Sequence, residues 1–383
     1  MTTFERARAL VEAWDAALRA ELPEGVSLFD AHTHLGHDID GMVGDYAELT
    51  SILGRYGFQG AFVFCMDERD REPGFCVPND RTLAYGERSE GRLVPFVRLD
   101  LTAQPLDEAR RALDLGAKGI KLHPRAQAFA LNDERLGPIF ALAVERSVPI
   151  LIHGGRGLPP IAEHLEALVR RHEGVQLIVA HAGIADMAGL AGRLGGIPGV
   201  FFDTSVWSAL DLLDLYRQVA PEQVVYASDY PYGRQPNSLL VSVRTAKLAG
   251  FDDKQLRLLL GGTARRIAER AELEPLSPPK GASSLVQPLT FARIHQYISM
   301  AVPMLWLRQR DALGALGLAV NASRERRNGH PEDSERIQEL LATAQEIWKE
   351  GAELDVDDER TTAFRAAIQL VNLADMVALT TRA

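Results

Sequence analysis

From residue 26 to about residue 270 the chain repeats one unit: a short apolar run, a polar loop, then an amphipathic helical stretch. The runs are Val26–Ala31, Ala61–Met66, Leu93–Leu99, Gly119–His123, Pro149–His153, Gln176–His181, Val200–Thr204 and Val224–Ser228. They are rich in Val, Ile, Leu and Phe and show no polar alternation, which is how strands buried on both faces read. Between them Tyr46, Leu49, Leu53 and Tyr56 fall at helical spacing, as do Ile161, Leu165, Leu168 and Val169. Strand alternating with helix builds a parallel sheet. Eight such units predict an α/β fold closed into a (β/α)8 TIM barrel. A doubly wound open sheet is the alternative. It asks for a Gly-rich turn after the first strand, where this chain carries His32-Thr33-His34.

The chain has 383 residues, more than the roughly 250 a barrel uses. Residues 1–25 are expected to form an N-terminal helix packing on the barrel, and residues 26–272 the barrel itself. Residues 273–284 include the Pro- and Ser-rich stretch EPLSPPKGASS and read as a linker. Residues 285–383 read as an all-helical C-terminal subdomain, with one apolar stripe through Ile337, Leu340, Leu341, Ala344 and Ile347 and another through Phe364, Ala367, Ile368 and Val371. Stripes of that size need a partner, so this subdomain is expected to cover the barrel or to build a homo-oligomer.

Charge narrows the partners. Net charge is −10 and no block of five Lys/Arg occurs, so nucleic acid and anionic membrane are not expected. The longest nearly apolar run, Ile298–Leu307, is too short to span a bilayer. Cys65 and Cys76 form no metal or disulfide spacing, and the first residues lack a signal-peptide core, so a cytoplasmic protein acting on a small molecule is expected.

Chemistry in such barrels gathers at the C-terminal strand ends. The first run ends in His32-Thr33-His34, the fourth in Lys121-Leu122-His123, the fifth in His153, the sixth in His181 and the eighth in Asp229. Residues i and i+2 of a strand share a side, so His32 and His34 project together as two donors to one ion. Imidazoles with a carboxylate suit Zn2+, with Mn2+ and Fe2+ as alternatives. Each residue alone has a plainer explanation as a core or loop histidine or a turn aspartate. It is their conjunction at successive strand ends that points to a metal site.

At these positions the chain resembles the amidohydrolase superfamily and, within it, the amidohydrolase-related family of hydrolases and decarboxylases. The stretches are FDAHTHLG (29–36), GAKGIKLHP (116–124), ILIHGG (150–155), LIVAHAG (177–183), ASDYP (227–231) and LLGGTARRI (259–267), in the family's order. The resemblance implies that His32, His34, His153 and Asp229 bind the metal and that Asp229 takes a proton from water. His181 would hold the reacting water, act as acid or base, or bind a second metal. It also implies a choice at Lys121, since a carbamylated lysine on the fourth strand bridges two metals in binuclear relatives. His123 follows on the same face and nearer the mouth, which favours one metal, with His123 touching substrate or solvent.

Arg125 and Arg156 directly follow metal-site strands and are candidates to grip a substrate carboxylate. The glycines after His153 resemble a phosphate nest, but free space beside the metal is the better reading. Trp207 and Tyr232 are candidates to wall the pocket. Cys65 reads as a buried apolar residue. His37, His164, His172, His295 and His330 are assigned no role. Metal-dependent hydrolysis at a carbonyl is the expected function. Non-oxidative decarboxylation of an aromatic or unsaturated acid is the runner-up, and a non-catalytic scaffold the third reading.

Overall fold

A computed structural model describes residues 2–206, 208–233, 237–281, 287–309, 311–325 and 329–381. It contains a nine-stranded sheet. Eight strands run parallel: β1 (Leu28–His37), β2 (Phe58–Cys65), β3 (Leu93–Arg98), β4 (Gly119–Leu122), β5 (Ile150–Ile152), β6 (Leu177–Val179), β7 (Val200–Asp203) and β8 (Val224–Val225). Each corresponds to one of the eight apolar runs. The ninth, Val43–Gly44, pairs antiparallel with the end of β1.

The backbone leaving β8 returns to β1. Ala31 N donates to Tyr226 O at 2.9 Å, Asp229 N to His32 O at 3.0 Å and His34 N to Tyr230 O at 2.7 Å. These bonds close the barrel and bring the first and eighth strand ends together. Phe62, Phe96, Leu151, Ile178, Phe201 and Val225 fill the interior as one buried cluster. Helices Tyr46–Tyr56 and Ala162–Arg171 are amphipathic and bury one stripe each, as the spacing predicts.

The register between β1 and β2 slips. Asp30 opposes Ala61 and Thr33 opposes Val63, so β1 carries one extra residue. Phe29 and Ala31 belong to the interior cluster, while His32 and His34, of opposite parity, also reach interior groups of β7 and β8. A bulge is the device that lets one strand present both sets inward.

Two compact units are present: Pro23–Ala282, and Met1–Leu22 with Ser283–Ala383. This corrects two expectations. The N-terminal helix (Thr3–Glu21) belongs to the helical unit, not to the barrel. Thr3 Oγ1 donates to Glu350 at 2.6 Å, and Arg6 pairs with Glu346 at 3.3 Å. The stretch after 272 belongs to the barrel unit as far as Ala282, because Glu274 pairs with Lys254 and Arg266 and Ser277 bonds Glu222. Apolar patterning cannot tell which of two cores a terminal helix joins.

The helical unit also contains helices Leu289–Trp306, Ala312–Ser323, Pro331–Ala352 and Asp357–Thr380. The last two meet at Gly351, where a β-carbon would stand 2.7 Å from that of Ala363, and at Trp348 and Phe364, whose ring centroids lie 4.2 Å apart. His295 is partnered rather than surface-exposed: its Nδ1 lies 2.7 Å from the half-buried carboxylate of Asp375. Among the described residues the segment Glu359–Thr380, not Ile298–Leu307, is long and apolar enough to cross a membrane, and 67% of its 18-residue apolar window is buried inside the protein.

Candidate metal centre

Closure of the barrel sets three donor atoms face to face. His32 Nε2 lies 3.2 Å from His34 Nε2, and each lies 3.3 Å from Asp229 Oδ1. Tetrahedral ligands at about 2.05 Å from a zinc ion stand about 3.3 Å apart. The donor set and its spacing therefore fit a small divalent cation. All three side chains are buried.

Protonation follows from the partners. His32 Nδ1 lies 2.7 Å from Asp203 Oδ2, so the proton sits on Nδ1 and Nε2 is a bare lone pair. Asp203 is itself held: its Oδ1 accepts from the Ser205 hydroxyl at 2.5 Å, Ser205 N at 3.0 Å and His181 N at 2.8 Å. A ligating imidazole oriented by a carboxylate is a recurrent element of metal sites. Burial, then the charge of Lys121, holds His32 well below its ordinary pKa; burial, then His32, does the same for His34. Both are neutral, as ligands must be. Burial pushes Asp229 well above the usual carboxylate range, and Lys121 opposes that shift.

A second chain of imidazoles runs along the other side. Ser205 O can only accept, so His181 carries its proton on Nδ1, 2.8 Å away. His181 Nε2 then accepts from His153 Nδ1 at 3.0 Å. That leaves His153 Nε2 a bare lone pair, buried and without a partner among the described residues. Burial, then His181, lowers His153 to about 2. His153 is outside the mutually close triad, so the four expected ligands divide into a preformed three and one bare nitrogen nearby. Gly155 is required here, since a β-carbon would stand 2.8 Å from both the His153 and His181 rings. That agrees with glycine making space rather than a phosphate nest.

His123 stacks on His153, centroids 4.0 Å apart and planes 14° from parallel. Its Nδ1 accepts from Ala126 N at 3.1 Å, so Nε2 carries the proton. Lys121 is fully buried, its Nζ 4.4 Å from the Phe64 ring centroid and without a hydrogen bond among the described residues. Burial lowers it to about 7 against the pull of Asp203 and Asp229. Arg125 and Arg156 are exposed, Arg125 lying along Gly157. Tyr232 packs edge-on to His34, centroids 5.6 Å apart, and donates to Asp38 at 2.9 Å, so it does wall the site. Trp207 lies outside the described residues. Burial pushes the Cys65 thiol up to about 12, in keeping with an apolar role.

Sequence reasoning missed Asp203, Ser205 and Arg98. The signal for the first and third was there: an aspartate closes the run Val-Phe-Phe of β7, and an arginine closes β3. The strand-end rule that found the histidines, applied to every strand, finds both.

A sequence profile of the amidohydrolases matches residues 29–267. No curated protein matches the chain. Among solved structures, Metarhizium anisopliae IDCase is 14% identical, with TM-score 0.50, covering 63% of this chain and 97% of its own. A Staphylococcus aureus chain described as an amidohydrolase is 15% identical, with TM-score 0.50, covering 63% and 99%. An Acinetobacter baumannii chain described as a 2-pyrone-4,6-dicarboxylic acid hydrolase, solved with citric acid, is 14% identical, with TM-score 0.49, covering 63% and 99%. At these identities the likeness is one of fold.

Proposed function

The chain belongs to the amidohydrolase family, and on that premise we propose that it is a metal-dependent hydrolase cleaving a C–N or C–O bond at the carbonyl of a small, carboxylate-bearing molecule. His32, His34 and Asp229 would hold one divalent cation, Zn2+ in preference to Mn2+ or Fe2+, with the bare Nε2 of His153 as the further donor. Bound there, such an ion lowers the pKa of water toward about 7 and polarises a carbonyl. The observation that carries this reading is the triangle of His32, His34 and Asp229 atoms with edges of 3.2 to 3.3 Å.

The protein's own groups divide the remaining work. Asp229 turns one oxygen to the two imidazoles and would take the proton from water. His181, its Nδ1 held by the Ser205 carbonyl, would take a proton at Nε2 and return it to the leaving group when its bond from His153 Nδ1 opens. His123 offers its Nε2 proton to a substrate oxygen. Lys121, without a hydrogen bond of its own, supplies positive charge beneath the site. Cytoplasmic localisation fits the free thiols Cys65 and Cys76.

Non-oxidative decarboxylation is the alternative, with His181 protonating carbon. Elemental analysis should find about one metal per chain, and EDTA treatment should remove it together with activity. Labelled-water incorporation into product would support hydrolysis; carbon dioxide release would support the lyase. Turnover that survives His32→Ala with His34→Ala in metal-free protein would sink both.

A further inference from the structure

Among the described residues two cationic side chains are buried, Arg98 (3% exposed) and Lys121 (0%), and neither has a carboxylate within ion-pair distance. A buried amine can shed its proton to escape the cost of burial. A guanidinium cannot, so a buried arginine ordinarily pairs with an anion. Elsewhere in the barrel unit Arg81 and Arg111, both more exposed, are bound to carboxylates at 2.6 to 2.8 Å.

Arg98 closes β3, in register with Lys121 of β4, at the end of the barrel where the metal ligands lie. Its backbone is clamped by Asn79, which accepts from Arg98 N and donates to Arg98 O, both at 2.9 Å. Its guanidinium lies over the Phe75 ring, 4.6 Å from the centroid. Its side chain makes one hydrogen bond among the described residues, Nη1 to Cys65 O at 3.4 Å, and Nε is buried with no partner. Arg98 lies two residues from Phe96 of the interior cluster and so shares that residue's inward face of β3. Of the carboxylates at the site, Asp203 is engaged by four donors, and Asp229 is turned to the metal position between His32 and His34.

We infer that Arg98 is the anchor for a carboxylate of the substrate, in place of the exposed Arg125 and Arg156. The clamp by Asn79 and the Phe75 face preorganise the fork, and the unpartnered Nε is satisfied when an acid enters the mouth. The assignment rests on the hydrolase reading for the word substrate, not for the anion site.

The test is calorimetric binding of matched probes, benzoate against benzamide and succinate against succinamide, to the full-length protein as isolated and after EDTA treatment. The metal content of each sample is measured alongside. Wild type should prefer at least one acid over its amide with or without metal. Arg98→Gln should weaken that acid by roughly 10- to 100-fold and leave the amide unchanged. Arg98→Lys, which keeps charge and stem if the glutamine variant misfolds, should fall between. Arg125→Gln and Arg156→Gln should keep the preference. No preference in wild type, or preference retained in folded Arg98→Gln and Arg98→Lys, overturns the assignment. Protein that is isolated without metal and takes up none when zinc is supplied, yet still shows the Arg98-dependent preference, would remove the hydrolase reading and leave the anchor standing.

Discussion

At the scale of the residue, Asp203 decides which nitrogen of His32 is available. Its 2.7 Å bond to Nδ1 keeps the proton there, and three further donors keep the carboxylate from turning away. An amide at this position would offer an NH2 in place of one acceptor and would let the imidazole rotate or take the other tautomer. Asp203→Asn should therefore weaken zinc affinity by roughly 10- to 100-fold. Competition with a chromophoric chelator measures this, and unchanged affinity in a folded variant would show that Asp203 is not the holder. His34 has no equivalent support, since its Nδ1 is buried without a partner among the described residues. The sequence displayed His32, His34 and Asp229 openly because chain ends of strands converge in a barrel. Asp203 shows as one more strand-end acid, and only the hydrogen bond distinguishes a ligand from the residue behind it.

At the scale of the element, β1 does two things that a regular strand cannot. It fills the barrel with Phe29 and Ala31 and then presents His32 and His34 to the same interior, by way of the extra residue between Asp30 and Thr33. The i, i+2 spacing correctly pairs the two histidines; it does not say which side they face, because that depends on the register against β2. The backbone of β1 is also approached closely from the far end of the barrel unit. A β-carbon on Gly261 would stand 2.1 Å from Ser27 O and 2.6 Å from Phe29 N. Gly261→Ala must push β1 or the segment Leu258–Gly262 aside. It is expected to destabilise the protein by about 1 to 3 kcal/mol and to loosen the metal triad. Denaturant unfolding with metal titration checks both, and a variant as stable as wild type would show that the contact yields freely.

At the scale of the whole molecule, the chain makes two cores from three stretches. The helix Thr3–Glu21 buries Ala7, Trp14 and Leu18, and its partners come from the other end of the chain. A chain cut after residue 282 would keep this helix and lose those partners, whereas one spanning residues 23–282 would lose both. The first is expected to aggregate and the second to stay soluble with its metal triad intact. Sedimentation of the two, with metal content, is the measurement. Equal behaviour would mean that the N-terminal helix needs no partner from the tail.

The sequence alone determined that there are eight buried strands in βα order, that donor residues sit at their C-terminal ends, and that the tail is helical. Those features are local: period, run length and residue type at a strand end carry them. The tertiary structure decided what depends on residues distant in the chain. It set which core the first helix joins and where the barrel unit ends. It divided the four expected ligands into a close triad of His32, His34 and Asp229 and a separate His153. It also left Arg98 buried without an anion. Each of these is a relation between side chains that meet only when the barrel closes, and no spacing along the chain encodes the distance between them.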